Sequence, residues 1–234
     1  MEKKSGYNGS KNWKVICTND GSKSIYIPEL DEHYHSFHGA MQESMHVFIS
    51  AGFDYVLENT ATNKIKILEI GFGTGLNCYL TYIQSFIKKT EVCYHGIEAF
   101  PLRDDIIEEL NYQNLLGLND DLDSFMTLHK TPWNIQNQIF KNFSLLKIHK
   151  KVQDLILDQD FDLVYFDAFG PKAQEEMWTE AIFKQMFQAL KKGGILVTYC
   201  AKGEIKRTLK SIGFIVESIP GPPGKREMTR AIKS

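Results

Sequence analysis

From residue 65 onward, short apolar runs alternate with stretches whose hydrophobic positions recur every three to four residues, the pattern of strands alternating with helices. Ile65-Lys66-Ile67-Leu68-Glu69-Ile70 predicts a strand, followed by a helix over 76–88 and a strand over 92–98. Two helical stretches, 104–116 and 121–129, lead to a strand over 143–149. The run 161–167 is nearly continuous in apolar character, as a strand buried on both faces should be. An amphipathic helix is expected over 175–190, with Trp178, Ile182, Phe183, Met186 and Leu190 inward and Gly193-Gly194 as its stop. A strand over 195–200, a helix over 204–211 and strands over 214–219 and 228–232 close the chain. Ahead of all this, 14–27 reads as a hairpin turning at Asn19-Asp20-Gly21-Ser22, and 40–53 as a helix with Met41, Met45, Phe48 and Ile49 on one face. The expectation is one globular unit of the α/β class: residues 1–60 form a hairpin-and-helix extension, and 61–234 a doubly wound, mostly parallel, seven-stranded sheet covered on both faces.

Ligands of such sheets bind outside the carboxyl ends of the strands, near the switch in strand order. The strand ends are therefore where candidate chemistry belongs. The first is Glu69-Ile70-Gly71-Phe72-Gly73-Thr74-Gly75-Leu76-Asn77. Three glycines at alternate positions permit a tight turn and close approach of a ligand to the backbone. A dinucleotide fingerprint places its third glycine one residue later, which disfavours a nicotinamide oxidoreductase. The variant here, with an acid just before the turn, resembles the first motif of the Rossmann-like class I methyltransferases that use S-adenosylmethionine. That resemblance makes Glu69, Gly71, Gly73, Gly75 and Asn77 candidate cofactor ligands.

Glu98 closes the next strand about 20 residues on, a placement that suits a ribose diol, since one carboxylate can accept from both hydroxyls. After the 143–149 strand comes Asp154. The methyltransferase fold implies an acid here for the adenine amino group, with Asp158 and Asp160 as competitors. Asp167 ends the nearly continuous apolar run. A carboxylate there must be satisfied by partners or belong to a site, and the fold places this position beside the reactive end of the cofactor. Asp167 is the candidate catalytic residue.

Composition narrows the picture a little. A hydrophobic content of 43%, a charged content of 24% and a net charge of −2 suit an ordinary globular domain. The amino terminus is polar, and no apolar run approaches the roughly 20 residues of a membrane span, so a cytoplasmic protein is expected. Cys17, Cys78, Cys93 and Cys200 are scattered, fit no metal-ligand spacing, and read as reduced thiols; no metal is expected. Cations gather at Lys141, Lys147, Lys150 and Lys151 and again between Lys202 and Lys233, as a polyanion site or as solvated helix faces.

Beyond the glycine turn, Glu98-Ala99-Phe100-Pro101-Leu102, Asp167-Ala168-Phe169-Gly170-Pro171, Met177-Trp178-Thr179, Gly193-Gly194 and Lys225-Arg226-Glu227-Met228 follow in order. Together they resemble the methyltransferase domain of the MnmC family, bacterial enzymes that make 5-methylaminomethyl-2-thiouridine at the tRNA wobble position. Glu43-Ser44 with Val47-Phe48 fits that family's first helix, and the resemblance covers nearly the whole chain. Ala168 and Gly170 depart from the family's Asp-Gly-Phe-Ala-Pro segment. The resemblance implies methyl transfer from S-adenosylmethionine to the primary amine of 5-aminomethyl-2-thiouridine, with the tRNA anticodon loop as partner. Phe169 and Trp178 are then candidate aromatic platforms for the base, and Lys225 and Arg226 candidate contacts to substrate. The family's flavin-dependent oxidase domain is not expected, because the chain ends about where it would begin and has no second dinucleotide loop; no flavin is implied. Two rivals share these features: an aminopropyltransferase using decarboxylated S-adenosylmethionine, and a non-catalytic RNA-binding module with a vestigial pocket.

Overall fold

The computed structural model describes residues 13–115, 123–157 and 160–234; Asp158, the last residue of the helix expected over 104–116 and the first two of the helix expected over 121–129 lie outside the described residues. Three short strands come first: β1 (Lys14–Cys17), β2 (Lys23–Ile27) and β3 (Glu32–His33), paired antiparallel in that order. The β1–β2 turn is held by Asp20, whose carboxylate accepts from the hydroxyls of Thr18 and Ser22. A helix then runs through α1 (Ala40–Ser44), a π-helical stretch (Met45–Asp54) and α2 (Tyr55–Asn59). The expected helix is present and continues to Asn59.

The main body is an eight-stranded sheet in the order β10-β11-β9-β8-β4-β5-β7-β6. Its strands are β4 (Lys64–Ile70), β5 (Glu91–Glu98), β6 (Gln136–Phe140), β7 (Phe143–His149), β8 (Phe161–Phe166), β9 (Leu190–Thr198), β10 (Phe214–Pro220) and β11 (Glu227–Lys233). The five central strands are parallel and the outer ones antiparallel. The doubly wound, mostly parallel expectation holds, with β6 as an additional edge strand. The helices are α3 (Leu76–Ile87), α4 (Asp104–Leu110), α5 (Tyr112–Leu115), α6 (Ser124–Lys130), α7 (Glu180–Ala189) and α8 (Gly203–Ile212). The expected helix over 104–116 breaks at Asn111, which takes a left-handed conformation (φ 43). The one expected from 175 begins later: a single 3-10 turn over Glu175–Met177 precedes α7, which Thr179 caps through its hydroxyl.

Alternation along the strands builds two cores, one on each face of the sheet. Leu163 and Tyr165 join Ile65, Ile67, Ile195 and Val197 beneath α3 and the first helix; Val164 and Phe166 join Leu68, Ile70 and Leu196 beneath α7 and α8. Ile25, Ile27, Val47 and Phe48 belong to the first of these cores, so the amino-terminal hairpin and helix are packed into it. Lys147 follows the same rule. It shares the inward parity of Phe143 and Leu145, is 1% exposed, and lies over the Trp133 ring at 4.7 Å. It therefore belongs to the interior and not to a basic surface. The chain passes from β4 outward through β5 and β7, then returns to the other side of β4 with β8. The strand order switches between β4 and β8, where the glycine turn and Asp167 emerge.

Candidate active site

The glycine turn leaves β4 with Gly71, Gly73 and Gly75 all at positive φ (91, 50 and 71). A Cβ on Gly71 would stand 2.6 Å from the backbone oxygen of Asp167, and one on Gly75 2.7 Å from Nε2 of His129. Only glycine satisfies both the backbone angle and the space. Gly71 and Phe72 donate to the carbonyl of Ile97 at 3.0 Å, which ties the turn to the end of β5.

Glu98, ending β5, reaches across to the turn. Its Oε2 accepts from the Gly73 amide at 2.9 Å and its Oε1 from the Phe100 amide at 2.8 Å. Burial raises its pKa, against the lowering pull of these amide donors. The carboxylate therefore lines the turn, at the position expected for a ribose ligand.

Glu69 lies beneath the turn, completely buried. Burial, then the charge of Asp167, pushes its carboxyl well above the usual range. The amide of Asn77, on the first turn of α3, donates to Glu69 Oε1 at 3.0 Å and to Asp167 Oδ2 at 2.8 Å. Asn77 thus couples the acid before the turn to the acid ending β8. Asp167 itself is pushed up to about 7, first by burial and then by the charge of Glu43, against the Asn77 hydrogen bond and the Lys225 ammonium. A carboxyl poised there can exchange a proton near neutrality.

The loop after Asp167 is braced from three sides. Phe169 N donates to Gln174 Oε1 at 3.0 Å, Trp178 Nε1 donates to the Phe169 carbonyl at 2.7 Å, and the Tyr199 hydroxyl donates to the Ala168 carbonyl at 2.8 Å. Trp178 is 6% exposed and packs on Phe166, so its ring faces the core and its indole nitrogen holds the loop. Phe169 is half-buried and meets Tyr34 edge-on at 4.9 Å. Tyr34 also covers Gly73, where a Cβ would lie 3.0 Å from its ring. Tyr34 is not among the residues expected at the site; the one signal for it in the sequence is an aromatic residue in a polar stretch.

A cleft of about 520 Å³ opens beside this loop on the β9–β11 side, lined by Gly170, Pro171, Lys172, Tyr199, Lys202, Lys225 and Arg226 among others. It adjoins the 167–171 loop and does not include the glycine turn. Arg226 is exposed at its rim, whereas the Lys225 ammonium is tied to the buried Glu43. Asp154 sits on a short 3-10 turn (Val152–Asp154) past the end of β7 and is exposed. Among the described residues, no cluster of His, Cys, Asp and Glu could hold a metal ion, and no helix is long and apolar enough to cross a membrane. Cys17, Cys78, Cys93 and Cys200 are free thiols.

Residues 127–234 match the model of a family described as S-adenosyl-L-methionine-dependent methyltransferase. The chain is 30% identical over 230 residues to the tRNA 5-methylaminomethyl-2-thiouridine biosynthesis bifunctional protein MnmC of Cupriavidus metallidurans, covering 92% of this chain and 33% of that protein. The corresponding protein of Campylobacter hominis is 29% identical over 212 residues, covering 88% and 31%. The chain spans about a third of the length of these curated relatives. Among solved structures, MNMC2 from Aquifex aeolicus superposes with a TM-score of 0.72 at 23% identity, covering 96% of this chain and 71% of that one. Spermidine synthase from Thermotoga maritima gives 0.51 at 12%, covering 97% and 80%. At these identities the likeness to the two structures is one of fold alone. The family model thus covers the carboxy-terminal part of the chain, from α6 to β11.

Proposed function

We propose that this chain transfers a methyl group from S-adenosylmethionine to the primary amine of 5-aminomethyl-2-thiouridine at the tRNA wobble position. The observation that carries the reading is Asp167: a half-buried carboxyl with a pKa near neutrality, following the strand beside the topological switch, braced through Asn77 against the glycine turn. The likeness to MnmC proteins along 92% of the chain supports the choice of substrate.

The residues around the turn are of the kinds that would hold this cofactor. The glycine turn carries no side chain of its own at Gly71, Gly73 and Gly75, Glu98 brings a carboxylate suited to a diol beside it, and Asn77 Oδ1, among the described residues, is buried without a hydrogen-bond partner. In this reading Gly71, Gly73 and Gly75 receive the methionine part, Glu98 the ribose and Asp154 the adenine amino group. Glu69 acts through Asn77 and the turn. Bound S-adenosylmethionine supplies the activated methyl group.

The acceptor nitrogen must present a lone pair, yet an aminomethyl group is mostly protonated at neutral pH. Asp167 accepts a hydrogen bond from the amine, directs its lone pair, and takes the proton that is lost. Holding the amine in line supplies the larger part of the acceleration, since oriented reactants gain about 7–11 kcal/mol. Phe169, half-buried with Tyr34 beside it, offers an aromatic face for a base drawn out of the anticodon stack, while Trp178 fixes the loop beneath it. Arg226 and Lys202 at the cleft rim meet tRNA phosphates. Residues 13–60 close over the turn as an extension of the same unit, and the protein works in the cytoplasm, with its tRNA.

The test is methylation of tRNA carrying the aminomethyl nucleoside, read by nucleoside mass spectrometry. Gain of one methyl group on that nucleoside is expected. An unmodified nucleoside, with polyamine product formed instead from decarboxylated S-adenosylmethionine, would transfer the assignment to aminopropyl transfer.

A further inference from the structure

Glu43 lies on α1, far from Asp167 in sequence, yet its charge is the largest electrostatic influence on Asp167 after burial. It is 7% exposed. Its Oε2 accepts from the Ser36 amide at 2.7 Å, which fixes the carboxylate, and its Oε1 lies 2.5 Å from Nζ of Lys225. That ammonium stands 4.1 Å from the centre of the Tyr199 ring. A primary ammonium is therefore held by a buried carboxylate and an aromatic face, one hydrogen bond away from the loop that carries Asp167. Carboxylate plus aromatic face is the acceptor set that recognises alkylammonium groups in general.

Two features suit Lys225 to leaving this place. Its side chain is 34% exposed and reaches in from the cleft wall on four rotatable bonds. It is also carried on the turn between β10 and β11, where Gly224 has a positive φ (85). Glu43 and Tyr199, by contrast, are set in the first helix and at the end of β9.

We propose that Glu43 and the face of Tyr199 form a primary-ammonium subsite beside Asp167, with Lys225 as its internal competitor. The acceptor amine enters as the ammonium, displaces Lys225 from Glu43, and is then within reach of Asp167. The Lys225 ammonium thereby selects for acceptors that replace its charge, and rejects uridines lacking an amine. This rests on the reading of the acceptor as a primary amine.

A brace and a subsite predict opposite behaviour. If the Glu43–Lys225 pair only holds the fold, Glu43→Gln and Lys225→Met both raise KM for the aminomethyl tRNA. If it is a subsite, Glu43→Gln raises KM roughly ten-fold or more, whereas Lys225→Met lowers KM a few-fold. Affinity for S-adenosylhomocysteine stays unchanged in both, and thermal melts verify folding. Glu43→Asp recovers part of the loss. A second arm is independent of tRNA. Benzylammonium is titrated by calorimetry into the protein saturated with S-adenosylhomocysteine. It should bind Lys225→Met more tightly than wild type and bind the Glu43→Gln/Lys225→Met double variant weakest. If that order holds while wild type leaves the tRNA unmethylated, the substrate reading fails and the subsite stands. Equal benzylammonium affinity in all three proteins, or a raised KM for Lys225→Met, overturns the subsite.

Discussion

Asp167 keeps its proton in the folded protein to about pH 7, while in the unfolded chain it loses it near the ordinary aspartate value. The folded state then binds more protons across the interval from about 4 to about 7, so stability falls as pH rises through it. Glu69, raised by burial in the same way, adds to this fall. Asp167→Asn removes the ionisable group while keeping the hydrogen-bonding site for Asn77. Its melting temperature is expected to exceed wild type at pH 8 by more than at pH 5; an equal difference at both would show Asp167 ordinary in its titration. Methyl transfer should respond with the opposite sign. Wild-type kcat/KM rises as pH passes through about 7 and Asp167 ionises. The Asn variant loses about 10²–10⁴-fold in kcat and that pH limb together. Glu98→Ala, which takes away the carboxylate at the turn, is expected to weaken S-adenosylmethionine binding roughly ten- to a hundred-fold by calorimetry. Unchanged affinity would remove Glu98 from the ribose role. At this scale the strand-end acids were legible because a carboxylate after an apolar run has few structural reasons to be there. Glu43 was legible only as part of a family segment. Its proximity to Asp167 and Lys225 comes from packing between elements distant in sequence, which no local pattern encodes.

Among the elements, the glycine turn has the least tolerance. Gly71→Ala places a Cβ against the Asp167 carbonyl at a φ of 91, and strain of this kind costs about 1–3 kcal/mol. Lower thermal stability and loss of cofactor binding should appear together; retained binding would show that the turn yields without moving Asp167. Strand β7 carries a different burden. Burial lowers the Lys147 pKa to about 8. The unfolded chain thus holds more protons between about 8 and the ordinary lysine value, and stability rises with pH across that window. Lys147→Met should stabilise the protein by about 1 kcal/mol at pH 7 and flatten that rise, because a buried charge is exchanged for an apolar chain of similar length. A destabilised Met variant would mean that the hydrogen bond from Nζ to the His129 carbonyl outweighs desolvation. The inward position of Lys147 was available from strand parity with Phe143 and Leu145, but charge clustering along the sequence pointed outward. Strand β6 escaped notice because Gln136–Phe140 holds only two apolar residues and pairs at an edge. The π-helical turn in the first helix leaves no mark in a 3.6-residue pattern.

Over the whole molecule, two cores clamp one sheet, and the loops at one end of its parallel strands collect the glycine turn, Glu98, Asp154 and Asp167. That arrangement was readable in advance because alternating strands and helices admit few topologies. The cleft beside it was not, since its walls come from β9, β11 and the loop after β8. Lys172, Lys202 and Arg226 give that cleft a basic rim. Binding of tRNA should fall steeply with salt, and Lys202→Ala with Arg226→Ala should lower the slope of log K against log salt by about one for each phosphate no longer neutralised. An unaltered slope would put the RNA elsewhere. Every functional role assigned to this chain depends on cofactor binding at the glycine turn and Glu98, and a calorimetric titration with S-adenosylhomocysteine interrogates it most directly. One molecule bound per chain is the predicted result. Absence of any binding heat at protein concentrations well above micromolar, over several temperatures, would contradict it.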